Sequence, residues 1–298
     1  MNGWNKIFKY ISRNKMNNIK LIECPRDAMQ GWETFIPTAQ KVNYLNSLLK
    51  VGFHTLDFGS FVSPKAIPQL RDTAEVLSAL DLSTTNTKLL AIVANLRGAE
   101  QAVSYDEISY LGFPFSVSEE FQKRNTNSTI QESLSRVEEI QKLCLQKNKN
   151  LVIYISMGFG NPYGEPWNPE IVIQWVRKLA GMGIKIIALS DTVGVSNPQN
   201  IKSLFSHLIP EVPEVEFGAH LHSHPMTWME KVEAAFMSGC KRFDSALKGI
   251  GGCPMANDNL VGNLATENIV SYFRGNEPLG LDEKAFNESM ALAAEIFH

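Results

Sequence analysis

The sequence predicts an α/β chain folded as a (β/α)8 TIM barrel with an additional C-terminal helix. Three observations carry that expectation. Short apolar runs alternate with helical patterns from Ile19 to about Arg274. The runs are apolar along nearly their whole length, as strands buried on both faces of a parallel sheet are. The chain has 298 residues, enough for one such barrel of about 250. An open doubly wound sheet is the alternative, but no Gly-x-Gly-x-x-Gly follows the first strand, which weakens its dinucleotide-binding form.

Taken in order, the first strand reads over 19–24 (IKLIEC), with a helix over 36–50, and the second strand over 53–58 (FHTLDF). A helix over 64–79 follows, where Ser63-Pro64 sets a cap before a proline at the first helical position. Strands three and four read over 88–94 (KLLAIVA) and 106–111 (DEISYL), then a helix over 128–147 and strand five over 151–157 (LVIYISM). Asn168-Pro169 repeats the cap-and-proline device for a helix over 169–181, which Gly181-Met182-Gly183 stops. Strand six (184–190, IKIIALS) leads to Asn197-Pro198 and a helix over 198–208. Strand seven (215–221, VEFGAHL), a helix over 227–239, strand eight (242–246, RFDSA) and a helix over 262–274 complete the pattern. Residues 282–297 read as the extra helix packed outside. No linker, repeat or low-complexity segment interrupts residues 19–298, which are expected to form one domain.

Residues 1–18 differ. They carry Lys6, Lys9, Arg13 and Lys15, no acid, and Trp4, Ile7, Phe8 and Ile11 at helical spacing. A targeting or surface helix is one reading, and a frayed extension ahead of a start at Met16 is the other. The short, Lys-rich stretch without a cleavage-site pattern favours the extension.

Hydrophobic residues make up 44% of the chain and charged residues 20%, with a net charge of −3. That balance gives no reason to expect nucleic acid or an anionic membrane as partner. No apolar run approaches the ~20 residues that span a bilayer. Cys24, Cys144, Cys240 and Cys253 form no CxxC pair and lie far apart, so reduced thiols in a cytoplasmic compartment are expected.

Functional groups of such a barrel cluster at the C-terminal ends of its strands. The polar residues there are Arg26 and Asp27 after strand one, Asp57 ending strand two, Asn95 and Arg97 after strand three, and Asp191 after strand six. His220 and His222 lie on strand seven, and Cys253 and Asn263 after strand eight. Closure makes strands seven, eight and one neighbours, so Asp27, His220, His222 and Asn263 are expected in one sector. Residues two apart on a strand point to one face, and two imidazoles with a carboxylate suit a divalent metal. The bland alternative makes one histidine a core residue and the other exposed. His224 extends the row, but Pro225 follows, and His224 is expected at the rim. Arg26-Asp27 reads either as a surface ion pair or as an oxygen ligand beside an oxyanion-stabilising guanidinium. Gly249-Ile250-Gly251-Gly252-Cys253 reads either as a flexible turn or as a mobile lid bringing a thiol to substrate.

With these residues laid out, the chain resembles the 3-hydroxy-3-methylglutaryl-CoA lyase family of metal-dependent TIM-barrel lyases. The likeness runs from about Lys20 to Tyr272. Cys24-Pro25-Arg26-Asp27-Ala28-Met29-Gln30 is similar to the family's G-P-R-D-G-L-Q, and the segment from Ser60 to Gln69 to its S-F-V-S-P-K-x-x-P-Q. Ser190-Asp191-Thr192-Val193-Gly194 corresponds to G-D-T-I-G, His220-Leu221-His222 to H-x-H, and Gly249–Pro254 to G-L-G-G-C-P. Gly262-Asn263-Leu264-Ala265-Thr266-Glu267 matches G-N-x-A-T-E. The resemblance implies cleavage of 3-hydroxy-3-methylglutaryl-CoA to acetyl-CoA and acetoacetate, as in leucine catabolism. It implies Mg2+ or Mn2+ held by Asp27, His220, His222 and Asn263, with Arg26, Cys253, His220, Asp57 and Asp191 as catalytic groups. An acyl-CoA substrate and a homodimer fit the same picture.

Departures cluster around substrate recognition. Asp57 stands where the family has Glu, Ala28 where it has Gly, and Glu33 where a Lys often contacts the CoA phosphates. Ser223-His224-Pro225 replaces Asp-Thr-Tyr, and Lys248 replaces a small residue. A related lyase, aldolase or synthase acting on another 3-hydroxyacyl thioester or 2-oxo acid therefore stays open. So does a catalytically idle binding barrel, although such a barrel would be expected to lose metal ligands first.

Overall fold

The structure, a computed structural model, describes residues 19–252, 261–275 and 279–298. The expectations for residues 1–18 and for Cys253 and Pro254 lie outside the described residues.

Eight strands form the barrel: β1 (Lys20–Glu23), β2 (Thr55–Ser60), β3 (Lys88–Ile92), β4 (Ile108–Ser116), β5 (Asn150–Ser156), β6 (Ile186–Asp191), β7 (Glu216–Ser223) and β8 (Arg242–Ser245). Each pairs in parallel with its sequence neighbours, and β8 pairs with β1, closing the ring. A two-residue strand, β9 (Gly262–Asn263), lies antiparallel beside the end of β7. Of the described residues, none belongs to a helix long and apolar enough to cross a membrane.

The helices in chain order are α1 (Pro25–Gln30), α2 (Thr38–Val51), α3 (Thr73–Ser78), α4 (Leu96–Ala102), α5 (Glu119–Thr126) and α6 (Ile130–Gln146). They continue with α7 (Pro169–Gly181), α8 (Pro198–Glu211), α9 (Trp228–Met237), α10 (Thr266–Phe273) and α11 (Glu283–Ile296). Two of the three caps read from the sequence form: Asn168 accepts from the Ile171 amide, and Asn197 from those of Gln199 and Asn200, whereas Ser63-Pro64 opens no helix. The extra C-terminal helix, α11, packs against α2. The main core lies between strands and helices; a smaller cluster of Leu90, Ile92, Val152, Tyr154, Ile186 and Ala188 forms a separate apolar patch.

The structure corrects several element boundaries. The helix expected over 64–79 is a 3-10 turn at Pro68–Leu70 followed by the short α3. Pro68 has no N–H to continue a helical ladder begun at Pro64. Strand four runs to Ser116, five residues past its expected end at 111. The helix expected from residue 262 begins at Thr266, because Gly262 and Asn263 are taken up in pairing with Ser223 and His222. Helices α1, α4 and α5 are additions to the sequence reading, each six to eight residues long and too short for a clear period.

Candidate active site

The C-terminal ends of the strands surround a cleft of about 830 Å³, open to solvent. Arg26, Asp27, Tyr154, Ser190, His220 and His222 are among the residues that line it. The prolines and the turn after β1 set up its first wall. Pro25 opens α1 at a position where its missing N–H costs nothing, and one turn of helix then presents Arg26, Asp27 and Gln30. Arg26 Nη1 donates to Gln30 Oε1 at 2.8 Å and to Asp27 Oδ1 at 3.0 Å. On its other edge, Arg26 Nε and Nη2 donate to Asp57 Oδ2 at 2.9 and 2.6 Å. Four of the five N–H donors of the fork are thereby committed, leaving one on Nη2.

The opposite wall comes from β7, where the two-residue spacing puts both imidazoles on the cleft side. Their ring centroids are 5.4 Å apart. Ligand atoms of Asp27, His220 and His222 all lie within 4.8 Å of one another. Closure of β1 onto β8 and β7 is what joins positions almost two hundred residues apart. Asn263 arrives by a different route, as the β9 partner of His222; its amide nitrogen donates to Asp27 Oδ2 at 2.7 Å and to the Ile250 carbonyl at 3.0 Å. Turning the amide over would direct its oxygen to the same place. Gly251 makes this approach possible: at φ +100°, a Cβ there would sit 2.7 Å from Asn263 Nδ2 and 2.9 Å from the Asp27 carbonyl.

The protonation states suit a cation. Burial pushes the Asp27 carboxyl upward, but Arg26, His220 and His222 outweigh it and hold the pKa at about 2. Burial, then the neighbouring His220, lowers His222 to about 4, so this ring is neutral near pH 7. Burial also disfavours charge on His220, yet the hydrogen bond to Asp244 and the charges of Asp244 and Asp27 raise its pKa. His222 Nε2 is buried and has no hydrogen-bond partner among the described residues. A carboxylate and two imidazoles, one with an uncommitted ring nitrogen, fit a divalent ion. Cys24 also groups with His220 and Asp244. The guanidinium charge of Arg242, which acts on Asp244, disfavours a cation in that second group.

The remaining expected residues fall elsewhere. Asp57 is 1% exposed and does not line the cleft; it stands behind Arg26 as its clamp. Burial raises its carboxyl to about 6 against the pull of Arg26. Asp191, also 1% exposed, is directed at the β6–α8 loop: it accepts from the Ser196 amide at 3.1 Å and from Lys231 Nζ at 2.9 Å. Neither carboxylate reaches the cleft wall, because β2 and β6 turn these side chains into buried ion pairs. Asn95 caps α4 through the Gly98 amide. His224 is exposed just beyond β7, at the rim as expected.

Sequence reading missed Lys231, Asp244 and Glu23. Lys231 Nζ, buried, bridges Asp191, the His222 carbonyl at 2.8 Å and the Gly194 carbonyl at 3.2 Å. Asp244 Oδ2 lies 3.2 Å from His220 Nδ1. The Glu23 carboxyl, fully buried, accepts from the Leu247 amide at 2.8 Å and meets the Thr266 hydroxyl at 2.5 Å. Burial raises it to about 8 in spite of both hydrogen bonds. The available signal was a charged residue inside an apolar strand, as at Glu23 and Asp244.

A profile of the HMGL-like family matches residues 18–289. The chain is 34% identical over 260 residues to the mitochondrial hydroxymethylglutaryl-CoA lyase of Bos taurus, covering 86% of this chain and 78% of that protein. It is 32% identical over 260 residues to the cytoplasmic 3-hydroxy-3-methylglutaryl-CoA lyase of Rattus norvegicus, covering 86% and 74%. Among solved structures, an HMG-CoA lyase from A. baumannii in complex with coenzyme A and 3-methylmalate superposes with a TM-score of 0.87 at 31% identity, over 95% of this chain and 92% of that one. The hydroxymethylglutaryl-CoA lyase of Pseudomonas aeruginosa gives 0.86 at 29%, over 94% and 93%. Barrel, cleft and relatives agree, and the chain belongs to the HMGL-like family as an enzyme of the carbon–carbon lyase type.

Proposed function

We propose that this lyase cleaves 3-hydroxy-3-methylglutaryl-CoA to acetyl-CoA and acetoacetate, with Mg2+ or Mn2+ held by Asp27, His220, His222 and Asn263. The observation that carries the reading is the convergence of Asp27, His220 and His222 ligand atoms within 4.8 Å on the wall of a cleft that also presents Arg26. The donor set is all nitrogen and oxygen, which favours a hard or borderline ion over one selected by thiolates. When bound, the ion would act as a Lewis acid on the substrate's hydroxyl and carboxylate oxygens.

The chain's own residues supply the rest. Breaking the C2–C3 bond of a 3-hydroxyacyl thioester requires loss of the hydroxyl proton and leaves an enolate of acetyl-CoA. The free Nη2 proton of Arg26 meets the developing enolate oxygen, while Asp57 and Gln30 hold the fork so that little reorganisation is needed. Asp57 is thus a positioning residue for Arg26; its shorter side chain relative to Glu suits a clamp. The enolate carbon is protonated by the thiol of Cys253, which the sequence places next after the described Gly251 and Gly252; a metal-bound His220 whose Nδ1 already meets Asp244 has no ring proton free to give. Tight packing of Gly251 against Asp27 and Asn263 puts that segment's base at the site.

A second reading, a lyase for a different 3-hydroxyacyl thioester, is favoured by Glu33 where a CoA-binding lysine is usual and by the exposed His224 at the rim. One assay separates the two: purified protein with Mg2+ or Mn2+ and 3-hydroxy-3-methylglutaryl-CoA, products read by mass spectrometry. Equimolar acetyl-CoA and acetoacetate support the first reading. Metal-dependent turnover of a related thioester with none of this one transfers the chemistry to the second.

A further inference from the structure

His220 has two ring nitrogens, and only one can serve a metal in the cleft. Nδ1 is taken by Asp244 Oδ2 at 3.2 Å. Asp244 is no ordinary surface acid: its side chain has no solvent exposure, and His220 Nδ1 is its one hydrogen-bond partner among the described residues, Oδ1 having none. A buried carboxylate with so few bonds is costly unless something offsets it.

The offset lies two residues back on the same strand. Arg242, 0% exposed, puts its guanidinium charge to work on Asp244. Its Nη1 donates to Glu216 at 3.3 Å, while Nε and Nη2 are buried without a partner among the described residues. Alternation along β8 sends Arg242 and Asp244 to one side of the sheet and Phe243 into the strand–helix core. Room for the arginine comes from its register partner on β7, Gly218, where a Cβ would stand 3.1 Å from Arg242 Cδ. The one hydrogen bond that the Asp244 carboxylate makes among the described residues goes to a histidine of the neighbouring strand. Tyr154 adds a further constraint, its ring edge-on to His220 with centroids 5.6 Å apart.

We propose that Asp244 is the positioning residue of His220: it accepts the Nδ1 proton, fixes the tautomer that leaves the Nε2 lone pair free, and holds the ring at Asp27 and His222. The Arg242 charge, for which Gly218 leaves room, offsets the buried carboxylate from beyond ion-pair distance. This deepens the metal-site reading above and rests on it. A carboxylate behind a metal-binding imidazole typically contributes about 10–100-fold in metal affinity. Asp244→Asn removes the charge and can present an N–H to Nδ1, which would favour the opposite tautomer.

Two measurements on the full chain test the proposal. In metal-free protein with its histidines labelled by 15N, at a pH where the ring is neutral, His220 is expected to carry its proton on Nδ1. In Asp244→Asn the proton is expected to move at least in part to Nε2. Mn2+ titration followed by the free-ion EPR signal is expected to show roughly 10–100-fold weaker binding for Asp244→Asn, with partial recovery in Asp244→Glu. Wild-type His220 protonated on Nε2 overturns the proposal, as does Asp244→Asn binding Mn2+ like wild type. If wild-type protein takes up no Mn2+ while His220 carries the Nδ1 proton, the metal reading fails and the tautomer assignment stands. If Asp244→Asn does not fold, the wild-type tautomer and Asp244→Glu still decide the matter.

Discussion

Glu23→Gln should make the protein more stable, and increasingly so as pH rises. Among the described residues the Glu23 carboxyl has no ion-pair partner, and it is fully buried; burial raises its pKa from 4.5 to about 8. Between those values the folded chain holds a proton that the unfolded chain has released. Folding stability therefore falls as pH rises through that window. Each pH unit across it costs about 1.36 kcal/mol, so the full cost is on the order of 5 kcal/mol, with about 2 kcal/mol of it appearing between roughly pH 6 and 8. Glutamine carries no such cost. Its oxygen can still accept from the Leu247 amide and its nitrogen can donate to Thr266, whose hydroxyl already reaches Ser245 Oγ at 2.9 Å. Urea unfolding of both proteins, metal-free, at half-unit steps from about pH 5 to 9 isolates the effect, because every other titrating group is common to both. The difference curve should climb to about pH 8 and then flatten. Parallel curves over the whole range would show that Glu23 is ionised in the fold and that the reasoning from burial is wrong.

Arg26→Lys should lower turnover of the thioester about 10²–10³-fold, since an ammonium cannot keep the fork to Asp57 and Asp27 while meeting an enolate. A variant retaining more than half the wild-type rate would make Arg26 structural. Lys231→Met leaves the Asp191 carboxylate buried without its cation and should cost about 3–5 kcal/mol by chemical denaturation; a loss below about 1 kcal/mol would mean that Ser196 alone satisfies it. Gly251→Ala brings a Cβ against Asn263 and Asp27 at a positive φ, and should weaken Mn2+ binding in the EPR titration while leaving the far-UV spectrum unchanged. Cys253→Ala should lose most turnover yet bind Mn2+ normally, and acyl-CoA should shield Cys253 but not Cys24, Cys144 or Cys240 from alkylation; equal labelling with and without acyl-CoA refutes a lid carrying a working thiol.

Much of the scaffold was legible because its signals are local. Apolar runs bounded by glycines, and the Asn-Pro pairs at 168 and 197, report on the few residues around them, and those helices begin where the caps stand. The H-x-H pair was legible for the same reason: a strand's period of two decides which way both rings face, whatever the rest of the chain does. The short helices after β1, β3 and β4 were not legible, since six to eight residues span about two turns and give too little periodicity to tell from loop.

The sequence by itself determined the alternating elements, the facing of His220 and His222, and a set of polar residues at strand ends. Which of those polar residues meet the cleft was decided only when the barrel closed. Asp57 and Asp191 sit at strand ends as expected, but the folded neighbours Arg26 and Lys231 claim them. Asn263 came to Asp27 through a two-residue strand that exists because β7 has a free edge there. Glu23 looked like one charged residue ending an apolar strand; its bond to Thr266 joins positions 243 residues apart, and no local pattern encodes such a distance. The physical reason is common to all of them. Backbone preference and alternation act over a few residues, whereas the burial and charge that set a side chain's role come from whatever the closed barrel brings against it.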